Sequence, residues 1–313
     1  MKKYLLSVIA ITVTGALVSC NNNEIDNRVD NDRTEVKFSS NIVNVNKLKT
    51  RMANNEWAKN DTIGIFMFEQ AKNEVVENMD NVKYMTQSEG TTGQFSPTTT
   101  TIFFPDNGDL VRFMSYYPYT AAISNYVYKV DVSDQTTQAA IDLLHSFNAT
   151  TYSKVSTEKK VPLTFKHKLT KVNINVKHGE GLLENDLQNI KIHIEGLNTE
   201  ADFDLLTATL SGFGNMDNIT PIVIETVQNY AISYQAIIIP TEDPSTAKIV
   251  FDLDNGDEES NINSDVFTWF FSDDELEEGT EYTYNVTVKR SGIVVEATIN
   301  EWIDGGANNI EAE

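Results

Sequence analysis

The sequence is almost without cysteine: Cys20 is its single thiol in 313 residues. No intramolecular disulfide can form, so the fold is held by core burial alone. Cations are scarce too. The chain has 24 Lys and Arg against 46 Asp and Glu, a formal charge of −22. So acidic a surface argues against nucleic acid as a partner, because phosphate binding needs clustered Lys and Arg. It also argues against lying flat on an anionic membrane, and it suits a soluble, displayed protein that must not clump. The chain lacks G-x-S-x-G, a phosphate loop, paired-cysteine metal sites and H-E-x-x-H, so no enzyme activity, metal or cofactor is expected.

Long hydrophobic runs are missing as well. The longest apolar stretch, Tyr4 to Leu17, follows Lys2 and Lys3 and is too short for a permanent membrane helix. A basic start, a short apolar run and Leu17-Val18-Ser19-Cys20 make a bacterial lipoprotein signal, with residues 1–19 removed and Cys20 lipidated. Two or more acyl chains give stable attachment, so the mature protein is expected to hang from a membrane by its N-terminus. Losing Lys2 and Lys3 takes the charge from −22 to −24. Residues 20–33 are polar, rich in Asn and Asp, and read as a flexible tether.

After the tether the pattern is that of strands. Val36, Phe38 and Ile42 share one parity, with Lys37, Ser39 and Asn41 between them. Lys47, Lys49 and Arg51 form a basic island in an Asn-rich exposed loop. Ile63 to Phe68 is a short continuous apolar run, typical of a buried strand. Ile102 to Phe104 and Val111 to Tyr117 are aromatic strands stopped by Pro105 and Pro118. Ala139, Ala140, Leu143, Leu144 and Phe147 recur at helical spacing and predict a short helix over 138–147. The polar stretch from Ser153 to Lys160 marks a domain boundary near residue 155.

Beyond it the alternation is clean. Val161, Leu163, Phe165, His167 and Leu169 share odd parity, then Val172, Ile174 and Val176 share even parity, so a bulge or break lies near Thr170-Lys171. Ile190, Ile192 and Ile194 alternate, Ala236 to Ile239 is a buried run, and Ile249, Phe251 and Leu253 lead to a turn at Asp254-Asn255-Gly256-Asp257. Tyr282 to Val288 and Ile293 to Ile299 form a hairpin across Arg290-Ser291-Gly292. Many short strands and few helices mean β-sandwich domains.

Chemistry-bearing residues are few. His167 lies on the apolar face of its strand and reads as a hydrogen-bonded core histidine. The acidic stretch from Asp252 to Glu259 imitates a calcium loop, but Gly256 is fifth and Asn263 stands at position twelve, where the EF-hand needs Gly sixth and Glu twelfth. It reads as a solvated hairpin. Tyr116, Tyr117 and Tyr119 are either core or a stacking platform for sugars.

In their order these pieces resemble the fimbrillin family, the FimA-like and Mfa-like fimbrial subunits of Bacteroidales. The residues that carry the resemblance start with Leu17 to Cys20, Val36-Lys37-Phe38-Ser39 and Thr50-Arg51. Trp57, Asn60 to Phe66, Ile102 to Pro105, Ser115 to Tyr119 and Asp142-Leu143-Leu144 follow. Val161 to Leu169, Tyr282 to Val288 and Ile299 to Trp302 complete the series.

The resemblance implies an all-β protein of two transthyretin-like β-sandwich domains in tandem, here 34–155 and 156–313, without enzyme activity. It also implies a mechanism. The subunit reaches the outer membrane by a lipid on Cys20, and a trypsin-like Arg-specific protease cuts between Arg51 and Met52. The strand carrying Val36, Phe38 and Ile42 then leaves, and a strand of another fimbrial subunit fills the groove. Adhesion to a host or bacterial surface receptor would follow. Beyond Trp302 the chain has only Ile303 and Ile310 as strong apolar residues, a poor donor strand, which brings forward Ile293–Ile299 as donor. The alternatives are a lipid-retained anchor and a monomeric glycan-binding lipoprotein.

Overall fold

The computed structural model describes residues 33–42, 56–156, 160–187, 189–253, 266–272 and 275–301. Those residues are all-β. The first eight strands are β1 (Phe38–Ile42), β2 (Thr62–Glu69), β3 (Val82–Thr86), β4 (Thr92–Pro97), β5 (Val111–Tyr117), β6 (Val127–Asp131), β7 (Leu144–Tyr152) and β8 (Val161–His167). The next five are β9 (Thr170–His178), β10 (Lys191–Glu195), β11 (Glu200–Asp204), β12 (Thr209–Gly214) and β13 (Ile222–Ile224). β14 (Ile232–Ile238), β15 (Lys248–Asp252), β16 (Val266–Phe270), β17 (Thr280–Lys289) and β18 (Gly292–Glu301) complete them.

Seven of the first eight strands close a barrel in the order β1-β4-β3-β2-β5-β7-β8, with β1 paired antiparallel to β4 and parallel to β8. A five-stranded sheet, β13-β14-β9-β17-β18, shares a second core with the smaller sheets β10-β15-β16 and β12-β11-β6.

The continuous apolar run of β2 has a simple cause. Ile63, Ile65 and Met67 point into the barrel, while Phe66 and Phe68 join the second core. A strand buried on both faces has no use for alternation. β5 repeats the arrangement: Val111, Phe113 and Tyr117 face inward, Met114 and Tyr116 outward into the second core. β9 differs. Val172, Ile174 and Val176 face the core, and its other face is a ladder of amides. Asn173 receives a hydrogen bond from Gln235 and donates to Glu281, and Asn175 receives one from Ser233 and donates to Asn285, all at 2.8–2.9 Å.

Several expectations shift. The helix over 138–147 does not form. Gln138–Ala140 is a single 3-10 turn, and Leu144 onward is β7, clasped between β5 and β8. Pairing on both edges outweighs a helical spacing held by only five side chains. Residue 155 lies between β7 and β8, and β8, the last strand of the barrel, ends at His167. In return β6 leaves the barrel and pairs with β11, carrying Tyr128 and Val130 into the second core. The parity change near Thr170 is a break between two strands, β8 and β9. The turn at 254–257 lies outside the described residues.

Candidate functional site

The site is the slot that β1 fills. β1 has a neighbour on each edge: Phe38 pairs with Phe95 of β4 and with Val161 of β8, and the ladders run on to Asn41 and Ile42. The chain just before it is also tied in. The Val36 N–H donates to the Ile102 carbonyl, and the Phe104 N–H to the Thr34 carbonyl, both at 2.9 Å. Val36, Phe38, Ser40 and Ile42 all point inward and are buried, whereas Asn41 is exposed. Phe38, 2% exposed, meets Tyr84 and Phe113 edge to face at 5.3 and 5.1 Å. The Tyr84 hydroxyl accepts the Ile102 N–H at 2.9 Å, and burial pushes that phenol up to about 12.

The slot is apolar. Burying each large side chain contributes roughly 1.5–3 kcal/mol, so Val36, Phe38 and Ile42 together contribute about 5–8 kcal/mol. Without β1, β4 and β8 would also face each other as two open edges. Such a groove binds a strand by main-chain pairing with pockets for alternate side chains.

Of the residues the sequence singled out, the structure brings Val36, Phe38 and Ile42 together on one face of one strand. Cys20, Arg51 and Met52 lie outside the described residues. Gly93 and Ser40 of the slot escaped the sequence reading, and Trp57 entered it only through the family resemblance. Trp57 is buried at its wall, edge to face with Phe95, Phe165 and Tyr117 at 5.1, 5.2 and 5.6 Å. Gly93 stands opposite Ser40 in the β1–β4 register. Ser40 carried the one available signal, since it shares the parity of Val36, Phe38 and Ile42.

The tyrosines do not make a platform. Tyr116 and Tyr117 are buried. The Tyr116 hydroxyl donates to Asn81 Oδ1 or to the Thr120 carbonyl, 2.7 and 2.8 Å away, and burial pushes the phenol up. Tyr119 is half-buried, with the Lys83 ammonium 5.0 Å from its ring centroid. His167 is the core histidine its parity suggested, with Nδ1 2.8 Å from Asp142 Oδ1. Among the described residues no three His, Cys, Asp or Glu side chains gather to hold a metal, and no helix is long and apolar enough to cross a membrane. Residues 254–259 of the calcium-like stretch lie outside the described residues.

A second strand bears on the slot, β18. Among the described residues it is an edge strand paired with β17 alone, from Thr280↔Glu301 to Lys289↔Gly292. Ile293 and Val295 pack partly on the second core, while Val294 and Ile299 are 47% and 49% exposed. A long edge with exposed aliphatic side chains invites pairing with another chain.

Comparison with known proteins agrees with this architecture. A Bacteroides uniformis protein, the candidate fimbrium subunit Fim1C, is 27% identical over 314 residues, covering 97% of each chain. The crystal structure of a candidate cell adhesion protein from Bacteroides uniformis superposes with a TM-score of 0.72 at 25% identity, covering 88% of this chain and 99% of that one. One from Bacteroides ovatus has a TM-score of 0.66 at 22% identity with the same coverage, a likeness of fold alone. The sequence signature of the fimbrillin-like family matches residues 50–302, and the chain belongs to that family.

Proposed function

We propose that the protein is a structural subunit of a surface fimbria, supporting adhesion, that assembles by exchange of its first strand. It is carried to the outer membrane by a lipid on Cys20. An Arg-specific, trypsin-like protease cuts after Arg51, β1 leaves with the tether and lipid, and β18 of another subunit enters the open slot. No catalytic step is needed of the chain itself. The two Bacteroides uniformis proteins above are described as a candidate fimbrium subunit and a candidate cell adhesion protein, which supports the reading.

The observation that carries it is the position of β1. One short strand near the N-terminus closes the barrel between β4 and β8, with each of its inward side chains buried. Arg51 follows it in the sequence, and the family's shared signature begins at residue 50, after β1. One cut therefore frees an apolar strand and severs the fold from its anchor. The buried tyrosines remove the ground for a sugar platform.

The test is the N-terminus of the protein taken from native surface fibres, read by mass spectrometry, together with an Arg51→Ala variant. A start at Met52, and no fibres from Arg51→Ala, are the expected results. A start at lipidated Cys20 with no shorter form, or normal fibres from Arg51→Ala, would replace this reading with that of a lipid-retained anchor or monomeric lipoprotein.

A further inference from the structure

Resting on that reading, we infer that the incoming β18 is held in one register and one direction, with Ala297 in the place of Ser40, and that Gly93 and Trp57 dictate this. The slot is uneven along its length. At the Ser40 position a Cβ added to Gly93 would lie 2.6 Å from Ser40 Oγ, 2.7 Å from the Phe95 ring and 3.0 Å from Trp57 Cδ1. Real Cβ atoms do not come so close, so this part of the slot is filled to its limit. Nor can Trp57 swing aside, since Phe95, Tyr117 and Phe165 stand edge to face around it. The four inward positions of the segment therefore take a large, a large, a small and a large side chain: Val36, Phe38, Ser40, Ile42.

One face of β18 repeats this profile at the same spacing: Ile293, Val295, Ala297, Ile299. Its other face carries Val294, Glu296 and Thr298 and offers no such series. The neighbouring β17 alternates Tyr282, Tyr284, Val286 and Val288, with no small residue. Direction follows from the same profile. Run in reverse, β18 would press Val295 against Gly93 and Trp57 and leave Ala297 in the space of Phe38, between Tyr84 and Phe113. Only the direction of β1, antiparallel to β4 and parallel to β8, puts the small residue at the tight point.

Two more observations give the exchange its direction in free energy. Ser40 Oγ is buried with no hydrogen-bond partner among the described residues, a dehydrated hydroxyl that β1 carries and Ala297 lacks. Within its own subunit β18 is poorly covered: Ala297 is exposed and Ile299 is 49% exposed, whereas Ser40 and Ile42 are buried in the slot. Exchange thus removes a defect and covers two apolar side chains. Ser40 makes β1 a displaceable occupant, and Ala297 makes β18 the better one.

Register is read by cross-linking during assembly. In the proposed register Thr298 takes the place of Asn41, which pairs with Thr92 of β4. Directly opposed antiparallel residues are close enough for a disulfide. The full-length protein, in a Cys20→Ala background, is cut with limiting trypsin and oxidised mildly as fibres grow. Thr92→Cys with Thr298→Cys is expected to give a ladder of disulfide-linked subunits on non-reducing gels, and Thr92→Cys with Glu296→Cys or Asn300→Cys none. Ala297→Phe, at an exposed position of the unassembled subunit, is expected to fold normally and assemble about tenfold more slowly or worse. A ladder from the Glu296→Cys or Asn300→Cys pair, or normal assembly of Ala297→Phe, overturns the register and leaves strand exchange standing. Fibres without a ladder from any pair overturn β18 as the donor, and no fibres from the cut parent protein overturn the exchange reading itself.

Discussion

Phe38 and Phe113 meet edge to face across the barrel interior, with ring centroids 5.1 Å apart and planes at 84°. Phe113 belongs to β5, two strands into the barrel from the edge that β1 seals. Phe38 is therefore a deep anchor of the strand proposed to leave. Phe38→Ala is expected to cost about 3–5 kcal/mol, read as a lower urea midpoint of the uncut protein. The same variant should release β1 sooner after cleavage.

Ser40→Ala should act in the opposite sense. Removing a buried hydroxyl that has no partner relieves its desolvation cost, and a gain of about 1 kcal/mol is expected. Denaturant unfolding measures it. A variant less stable than the parent would mean that the hydroxyl has a partner. In assembly assays the stabilised β1 should leave more slowly.

Gly64 tests the seam between the barrel and the second core. A Cβ there would overlap the Tyr116 ring and lie 2.6 Å from Asn81 Oδ1. Tyr116 is fixed by its bonds to Asn81 and Thr120, so it cannot retreat. Gly64→Ala is expected to lose about 1–3 kcal/mol by overpacking. The matching Tyr116→Phe exchange, which keeps the ring, should lose less. Thermal unfolding of the two variants separates them.

Acid should loosen the fold through His145. Burial holds this imidazole down from 6.5 to about 4, against the pull of the Leu205 carbonyl bonded to Nε2 at 2.9 Å, and the Lys168 ammonium adds to the depression. Between those values the unfolded chain binds a proton that the folded chain refuses. Stability from this group is thus complete above about pH 6.5 and falls as pH drops toward 4, by up to about 3 kcal/mol. Urea titrations at several pH values should show that slope, and His145→Gln should flatten it.

Much of the fold was legible because it is written in parity. The buried strand over Ile63 to Phe68, the inward row Val161, Leu163, Phe165 and the hairpin around Arg290 and Ser291 all read correctly from local pattern. What pattern omits is the partner. No residue of β6 announces that it will leave the barrel for β11, and none of β8 that it will seal the barrel against β1, because pairing across long separations leaves no local mark. The helix over 138–147 failed for the same reason: Leu143, Leu144 and Phe147 fit two periods, and their neighbours chose. At the slot, Val36, Phe38 and Ile42 showed themselves by hydrophobicity. Ser40 and Gly93 did not, and Trp57 was named without its place in the slot, since the tight point is a matter of shape, and shape needs all three at once.

The parallel pairing of β1 with β8 also sets an order on synthesis. The strand made first cannot be flanked on both sides until residue 167 exists, more than a hundred residues later. Contacts that span so much chain are the slow ones to form. The first strand of the fold is thus flanked on both edges only once β8 is made, and the edge that assembly later exploits stays open through most of the barrel's synthesis.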